Sequence, residues 1–114
     1  MVGVELDIST AREGDACIVT IAGEVDIYTS PALKTALAAA AADGCALLIV
    51  DLDRVSFIDS SGLGVLVGAL RRAREAGGDL RVVSGQETVA RILRITGLDK
   101  VFSLHATLPE ALGA

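Results

Sequence analysis

Asp59-Ser60-Ser61-Gly62 has the strongest claim on chemistry in this chain, with two adjacent hydroxyls, a carboxylate directly before them, and an amphipathic pattern that begins at the same point. A helix that opens here leaves its first backbone N–H groups without intrahelical partners and presents the positive end of its dipole. An added phosphate is tolerated at such a place. The chemistry suggested is therefore covalent modification of a serine.

Competing constellations fail on spacing. A G-x-G-x-x-G fingerprint through Gly62 and Gly64 would need glycine where Val67 stands, and a phosphate-binding loop needs a lysine that this helix start lacks. G-x-S-x-G does not occur, and His105 is the only histidine that could serve a serine nucleophile. Asp51, Asp53 and Asp59 could suggest a cation, but Val55 and Ser56 stand where a calcium loop wants an oxygen ligand and a glycine. No metal and no cofactor are expected. Cys17 and Cys45 lack C-x-x-C spacing and are expected to be ordinary core thiols. Leu47 to Asp53 also looks like the first strand of a two-component receiver. Two strands and a helix precede it, however, and the remainder is too short for four more strand-helix units.

The elements that must position the Asp-Ser-Ser-Gly turn follow from hydrophobic period and turn chemistry. Val2 to Thr10 alternates as a half-buried strand, Glu13-Gly14-Asp15 turns, and Ala16 to Ala22 forms the second strand of an antiparallel hairpin. Gly23-Glu24-Val25-Asp26 reads as a loop. Ser30 and Pro31 read as N-cap and first residue of a helix with the stripe Leu33, Ala36, Leu37, Ala40, Ala41, ending at Asp43-Gly44. The apolar run Cys45 to Leu52 suits a strand buried on both faces, with Asp51 and Asp53 at its carboxyl end.

The helix after Ser60 buries Leu63, Leu66, Val67, Leu70 and Ala73 and stops at Gly77-Gly78. Leu80 to Val83 is a strand. Ser84 and Glu87 have capping-box spacing before a helix with Val89, Ile92, Leu93 and Thr96 that ends at Gly97. Val101 to Leu104 is a last strand, and Thr107 with Glu110 repeats the cap spacing before a short helix. The fold class is α/β: a mixed sheet of four to five strands with an N-terminal antiparallel hairpin, then parallel strands joined by right-handed crossovers, and about four helices.

On the helix after Ser60, Gly64 and Gly68 fall opposite Leu66 and Leu70, on the face that also carries Ser61, Arg71 and Arg72. Each glycine costs about 1 kcal/mol against alanine inside a helix. Two readings explain them: close approach by a partner, with Val65 as an apolar contact, or tight packing against a loop of the same chain.

Length and composition set the outer bounds. The 114 residues fit one domain, and the 52% hydrophobic content is broken into runs far shorter than a membrane span. The first residues, with Glu5 and Asp7 inside the apolar pattern, do not read as a signal peptide, so a cytoplasmic address is expected. Net charge is −5 without a Lys/Arg cluster, and aromatics are 3%, so neither direct nucleic-acid binding nor a base-stacking platform is expected.

Three blocks together resemble the STAS domain of bacterial anti-sigma factor antagonists. They are Gly23-Glu24-Val25-Asp26 with Thr29 and Leu33, then Val50-Asp51-Leu52 followed by Val55 to Leu66, and finally Thr96-Gly97-Leu98-Asp99-Lys100-Val101-Phe102. The resemblance implies a single STAS domain over residues 1–114. It also implies that Ser60 is the acceptor of a phosphate donated by an anti-sigma factor that is itself an ATP-dependent serine kinase, and that a PP2C-type phosphatase removes it. The unphosphorylated form would hold the anti-sigma factor and free the sigma factor. Asp26 and Asp59 match acidic positions bordering the phosphorylation site. Asp26, Thr29, Asp59, Ser61, Gly62, Gly64, Val65, Gly68 and Arg72 are the expected partner-binding residues, without catalysis by the chain itself. The same domain serves elsewhere as a non-switching interaction module of scaffolds and lipid-transport complexes, which is the alternative function.

Overall fold

In the computed structural model, which describes residues 6–113, five strands lie in the order of the chain, β1-β2-β3-β4-β5. The strands are β1 (Asp7–Glu13), β2 (Ala16–Val25), β3 (Leu47–Ile58), β4 (Asp79–Val83) and β5 (Ser103–His105). The helices are α1 (Ser30–Ala42), α2 (Ser60–Glu75), α3 (Glu87–Ile95) and α4 (Leu108–Ala111), with a 3-10 turn at Leu98–Lys100 before β5. β1 and β2 form the expected antiparallel hairpin about Gly14, whose φ of +60° suits the missing side chain. β2 to β5 are parallel.

Sheet alternation decides which helix covers which face. Cys17, Val19 and Ile21 of β2, Leu48, Val50 and Leu52 of β3, and Leu80 and Val82 of β4 form one core with Leu33 and Leu37 of α1, Leu66 and Leu70 of α2, and Val89 and Leu93 of α3. The three crossover helices therefore share a face, as same-handed crossovers between neighbouring strands require. The other face is thinner: Ile18, Ile49 and Val83 meet Ala111, with Leu108 and Leu112 of the α4 region beside them.

Several expectations are corrected. Among the described residues the first strand begins at Asp7, the expected start at Val2 lying outside them, and β1 is an exposed edge strand, not a half-buried one. β2 runs on through Val25 and β3 through Ile58, so Gly23–Val25 is strand, and Asp51 and Asp53 lie inside β3, not at its end. Two register shifts explain this, between Thr20 and Ala22 and between Gly23 and Glu24. Across each, β3 holds one residue more than β2, the geometry of a β-bulge. Leu52, Val55 and Ile58, three apart, thereby reach the same core.

Thr29, not Ser30, is the N-cap of α1, and its side chain does not cap the helix. Gln86 takes the N-cap of α3, and the Ser84 hydroxyl donates instead to the Gln86 carbonyl, so the capping box expected there does not form. At Thr107 the N-cap half does form, its Oγ1 accepting from Glu110 N–H at 3.3 Å, while the Glu110 carboxylate accepts from the Thr107 hydroxyl at 3.2 Å. β5 begins at Ser103, two residues late, because Leu98–Lys100 turns before it. Cys17 and Cys45 are joined in a disulfide, with Cα atoms 5.7 Å apart, and are not the free thiols expected. The bond ties the start of β2 to the connection that leads into β3.

Candidate functional site

The site lies where β2 and β3 end. Val25 and Ile58 are paired, and the Asp59 N–H donates to the Val25 carbonyl at 3.0 Å, so the ladder holds the chain extended up to the first residue of α2. Asp59 is the N-cap. Its Oδ1 accepts from Ser61 N–H at 2.9 Å, Gly62 N–H at 3.2 Å and the Ser61 hydroxyl at 2.5 Å. Such bonds stabilise the ionised carboxylate. The Ser61 hydroxyl is the largest cause holding the Asp59 carboxyl below its usual value of 3.8, assisted by the N–H groups of Gly62, Ser61 and Ile27 against an opposing desolvation.

The two serines are thereby made unequal. Ser61 is half-buried and commits its hydroxyl to Asp59, whereas Ser60 is exposed and its hydroxyl has no partner among the described residues. His105, the one conceivable base, is bonded to Ser103 on β5 at 2.8 Å.

The loop between β2 and α1 stands beside this turn. Asp26 Oδ1 accepts from the N–H groups of Tyr28 and Thr29 at 2.9 and 3.0 Å, closing a local turn. Thr29 is buried, with its hydroxyl donating to the Glu24 carbonyl at 2.8 Å and accepting from Asp26 N–H at 2.9 Å. Asp26 and Thr29 thus shape the loop from within. What the loop presents outward is Ile27 and Tyr28, 67% and 88% exposed.

The remaining expected partner-binding residues divide into two sets. Gly62 is buried, and a Cβ there would lie 2.5 Å from Val25 Cγ1 and 2.8 Å from Ile58 Cγ1. Its role is close packing of α2 on the ends of β2 and β3, which corrects the expectation that it faces a partner. Gly64 is the opposite case: it is exposed, and a Cβ would meet nothing within 4 Å. Packing within the chain does not account for it. Gly68 is half-buried, with the Arg72 guanidinium folded over it.

Ser61, Gly64, Val65, Gly68 and Arg72 together line a groove of about 240 Å³, completed from α1 by Lys34. Reading the sequence missed Lys34, Ile27 and Tyr28. The signals were present: Lys34 follows Leu33 on the polar side of α1, and Ile27-Tyr28 is a large apolar pair inside an otherwise polar connection.

The STAS domain family model matches residues 7–111. The chain belongs to the STAS domain family. An anti-sigma-B factor antagonist of Bacillus subtilis (strain 168) is 40% identical to the STAS chain over 103 residues, spanning 90% of this chain and 94% of the relative. One from Staphylococcus aureus (strain NCTC 8325 / PS 47) is 34% identical over 102 residues, with 90% and 94% covered. The crystal structure of an anti-sigma factor antagonist from Mycobacterium paratuberculosis superposes with a TM-score of 0.88 at 33% identity, covering 95% of this chain and 92% of that one. The mixed five-stranded sheet with its N-terminal hairpin and four helices is therefore a STAS fold. No helix among the described residues is long and apolar enough to cross a membrane.

Proposed function

We propose that this STAS chain is a cytoplasmic anti-sigma factor antagonist switched by phosphorylation of Ser60. In the unmodified state it holds an anti-sigma factor and so frees the sigma factor. The anti-sigma factor, acting as an ATP-dependent serine kinase, transfers phosphate to Ser60, and a PP2C-type phosphatase restores the hydroxyl. The chain contributes an acceptor and a docking surface, not catalysis.

One observation carries the choice of acceptor: Ser61 spends its hydroxyl on Asp59, while Ser60 is exposed and unengaged. Anti-sigma factor antagonists among the relatives support the regulatory role. The site also supports a switch without refolding. Ser60 occupies the first position of α2, where negative charge is compatible with the helix dipole, and no buried group must move to admit the phosphate. Modification therefore acts on the docked partner through charge and bulk at the surface.

Incubation with ATP and the cognate anti-sigma factor, followed by peptide mass spectrometry, tests the reading. Phosphate is expected on Ser60 in the wild type and in Ser61→Ala, and absent in Ser60→Ala. Phosphate on Ser61, or none on either serine, overturns the assignment.

A further inference from the structure

We infer that the groove between α1 and α2 is the seat of an acidic segment of the partner, a short peptide stretch with carboxylates beside apolar side chains. The inference rests on the antagonist reading above and adds the chemistry that the partner must bring.

Charge is the first argument. The chain as a whole is −5, yet the groove is rimmed by Lys34 and Arg72 and lined by no carboxylate. The ion pairs among the described residues use Arg74 with Asp79 and Arg91 and Arg94 with Glu87, so Lys34 and Arg72 are both unpaired. Two cations facing a groove in an acidic protein complement an anionic occupant. They are too few for a nucleic-acid backbone, which is met by many phosphate contacts.

Shape is the second. Ser60, Gly64, Gly68 and Arg72 are spaced by four and form one row along α2. Side chains on a helix lean toward its N-terminus, so Arg72 reaches back over Gly68, its Nη1 3.3 Å from the place a Cβ there would take. Gly64, where a Cβ would meet nothing within 4 Å, leaves an open track beside Ser60, and the Arg72 guanidinium closes it over Gly68. Where the groove nears Ser60, Ile27 and Tyr28 supply exposed apolar surface on the adjoining loop. An extended or helical segment of a protein partner fits this combination better than a free anion, which would use neither the track nor the apolar lip.

The arrangement also explains why modification at Ser60 would be read so directly. A phosphate on Ser60, next to the groove-lining Ser61, places negative charge at the end of the groove that receives the carboxylates and repels them there.

The test is binding of the cognate anti-sigma factor, by calorimetry, to wild type, Ser60→Asp, the double charge reversal Lys34→Glu/Arg72→Glu and the neutral pair Lys34→Met/Arg72→Met. Loss of about thirtyfold or more is expected for the reversal and a smaller loss for the neutral pair. Wild-type affinity should also fall from about 50 to about 500 mM salt, with a shallower fall in the neutral pair. Reversal with wild-type affinity, while Ser60→Asp still weakens binding, overturns the groove assignment alone. A wild type that does not bind the anti-sigma factor overturns the antagonist reading and this inference with it. Should the reversal fail to fold, the neutral pair and the salt series decide: unchanged affinity in both overturns the inference.

Discussion

Gly62 and Gly64, two residues apart on α2, should respond in opposite directions to the same added methyl group. At Gly62 the new Cβ would stand 2.5 Å from Val25 Cγ1 and 2.8 Å from Ile58 Cγ1, both on buried side chains at the ends of paired strands. Overpacking of this kind costs about 1–3 kcal/mol. Better helix propensity returns at most about 1 kcal/mol. A contact as close as 2.5 Å places the cost at the upper end of that range, about 2–3 kcal/mol, so Gly62→Ala should lose about 1–2 kcal/mol net. With about 4 °C per kcal/mol for a domain near this size, the melting temperature should fall by about 4–8 °C. At Gly64 nothing lies within 4 Å and φ is not positive, so Gly64→Ala should gain about 0.4–1 kcal/mol. The larger Gly64→Leu should leave the melting temperature nearly unchanged and impair partner binding. Thermal and urea unfolding of the variants, with calorimetric binding of the anti-sigma factor, gives both readouts. A Gly62→Ala within about 0.5 kcal/mol of wild type, or a Gly64→Ala that loses more than about 1 kcal/mol, would refute this division into packing and surface glycines.

The Cys17–Cys45 bond spans 28 residues, enclosing β2, the Asp26–Thr29 loop and α1. On the chain-entropy account such a ring stabilises by roughly 3.5 kcal/mol. Cys17→Ser/Cys45→Ser, or wild type under dithiothreitol, should unfold at clearly lower urea concentration than the oxidised protein, and superimposable curves would contradict the bond's contribution. For Asp59 the folded carboxyl is held below 3.8, so its contribution is present above the unfolded value and is lost as pH falls through the folded one. Asp59→Asn should flatten the acid limb of the stability profile below about pH 4, measured by urea unfolding across pH. An unchanged limb would mean that the Ser61 and backbone bonds do not favour the ionised form.

The fold was legible wherever hydrophobic period and punctuation agreed. The hairpin about Gly14, the α1 and α2 stripes and the glycine stops after α2 and α3 needed only local rules. It failed where pairing overrides local pattern. Glu24, Asp53 and Arg54 look like loop residues, but bulges keep β2 and β3 paired past them, and Asp53 finds partners across the sheet, its Oδ1 accepting from Gly85 N–H at 2.5 Å. Ser84 shows the same limit. Its spacing to Glu87 satisfied a capping box, while its own N–H was drawn to the His105 carbonyl at 2.9 Å, continuing the contact between β4 and β5.

At the site, the helix start and the row of outward positions could be counted from the sequence. That Gly62 packs and Gly64 does not, that Thr29 is a loop brace, and that Lys34 completes the groove depend on which elements stand beside α2. The cysteines escaped for a related reason: 28 residues separate them in sequence, and only the parallel pairing of β2 with β3 brings them together.

The central claim is that a phosphate on Ser60 breaks partner docking, and the most direct measurement is the affinity of the anti-sigma factor for the protein carrying phosphoserine at position 60 against the unmodified protein. Phosphoserine adds about 1.5–2 negative charges. Against a partner carboxylate about 5 Å away, each unit pair repels by about 3 kcal/mol at an effective dielectric of 20. Even half of one such pair weakens binding about tenfold. A Kd raised tenfold or more, with an unchanged circular dichroism spectrum, is the predicted result; equal affinities of the two forms would contradict it.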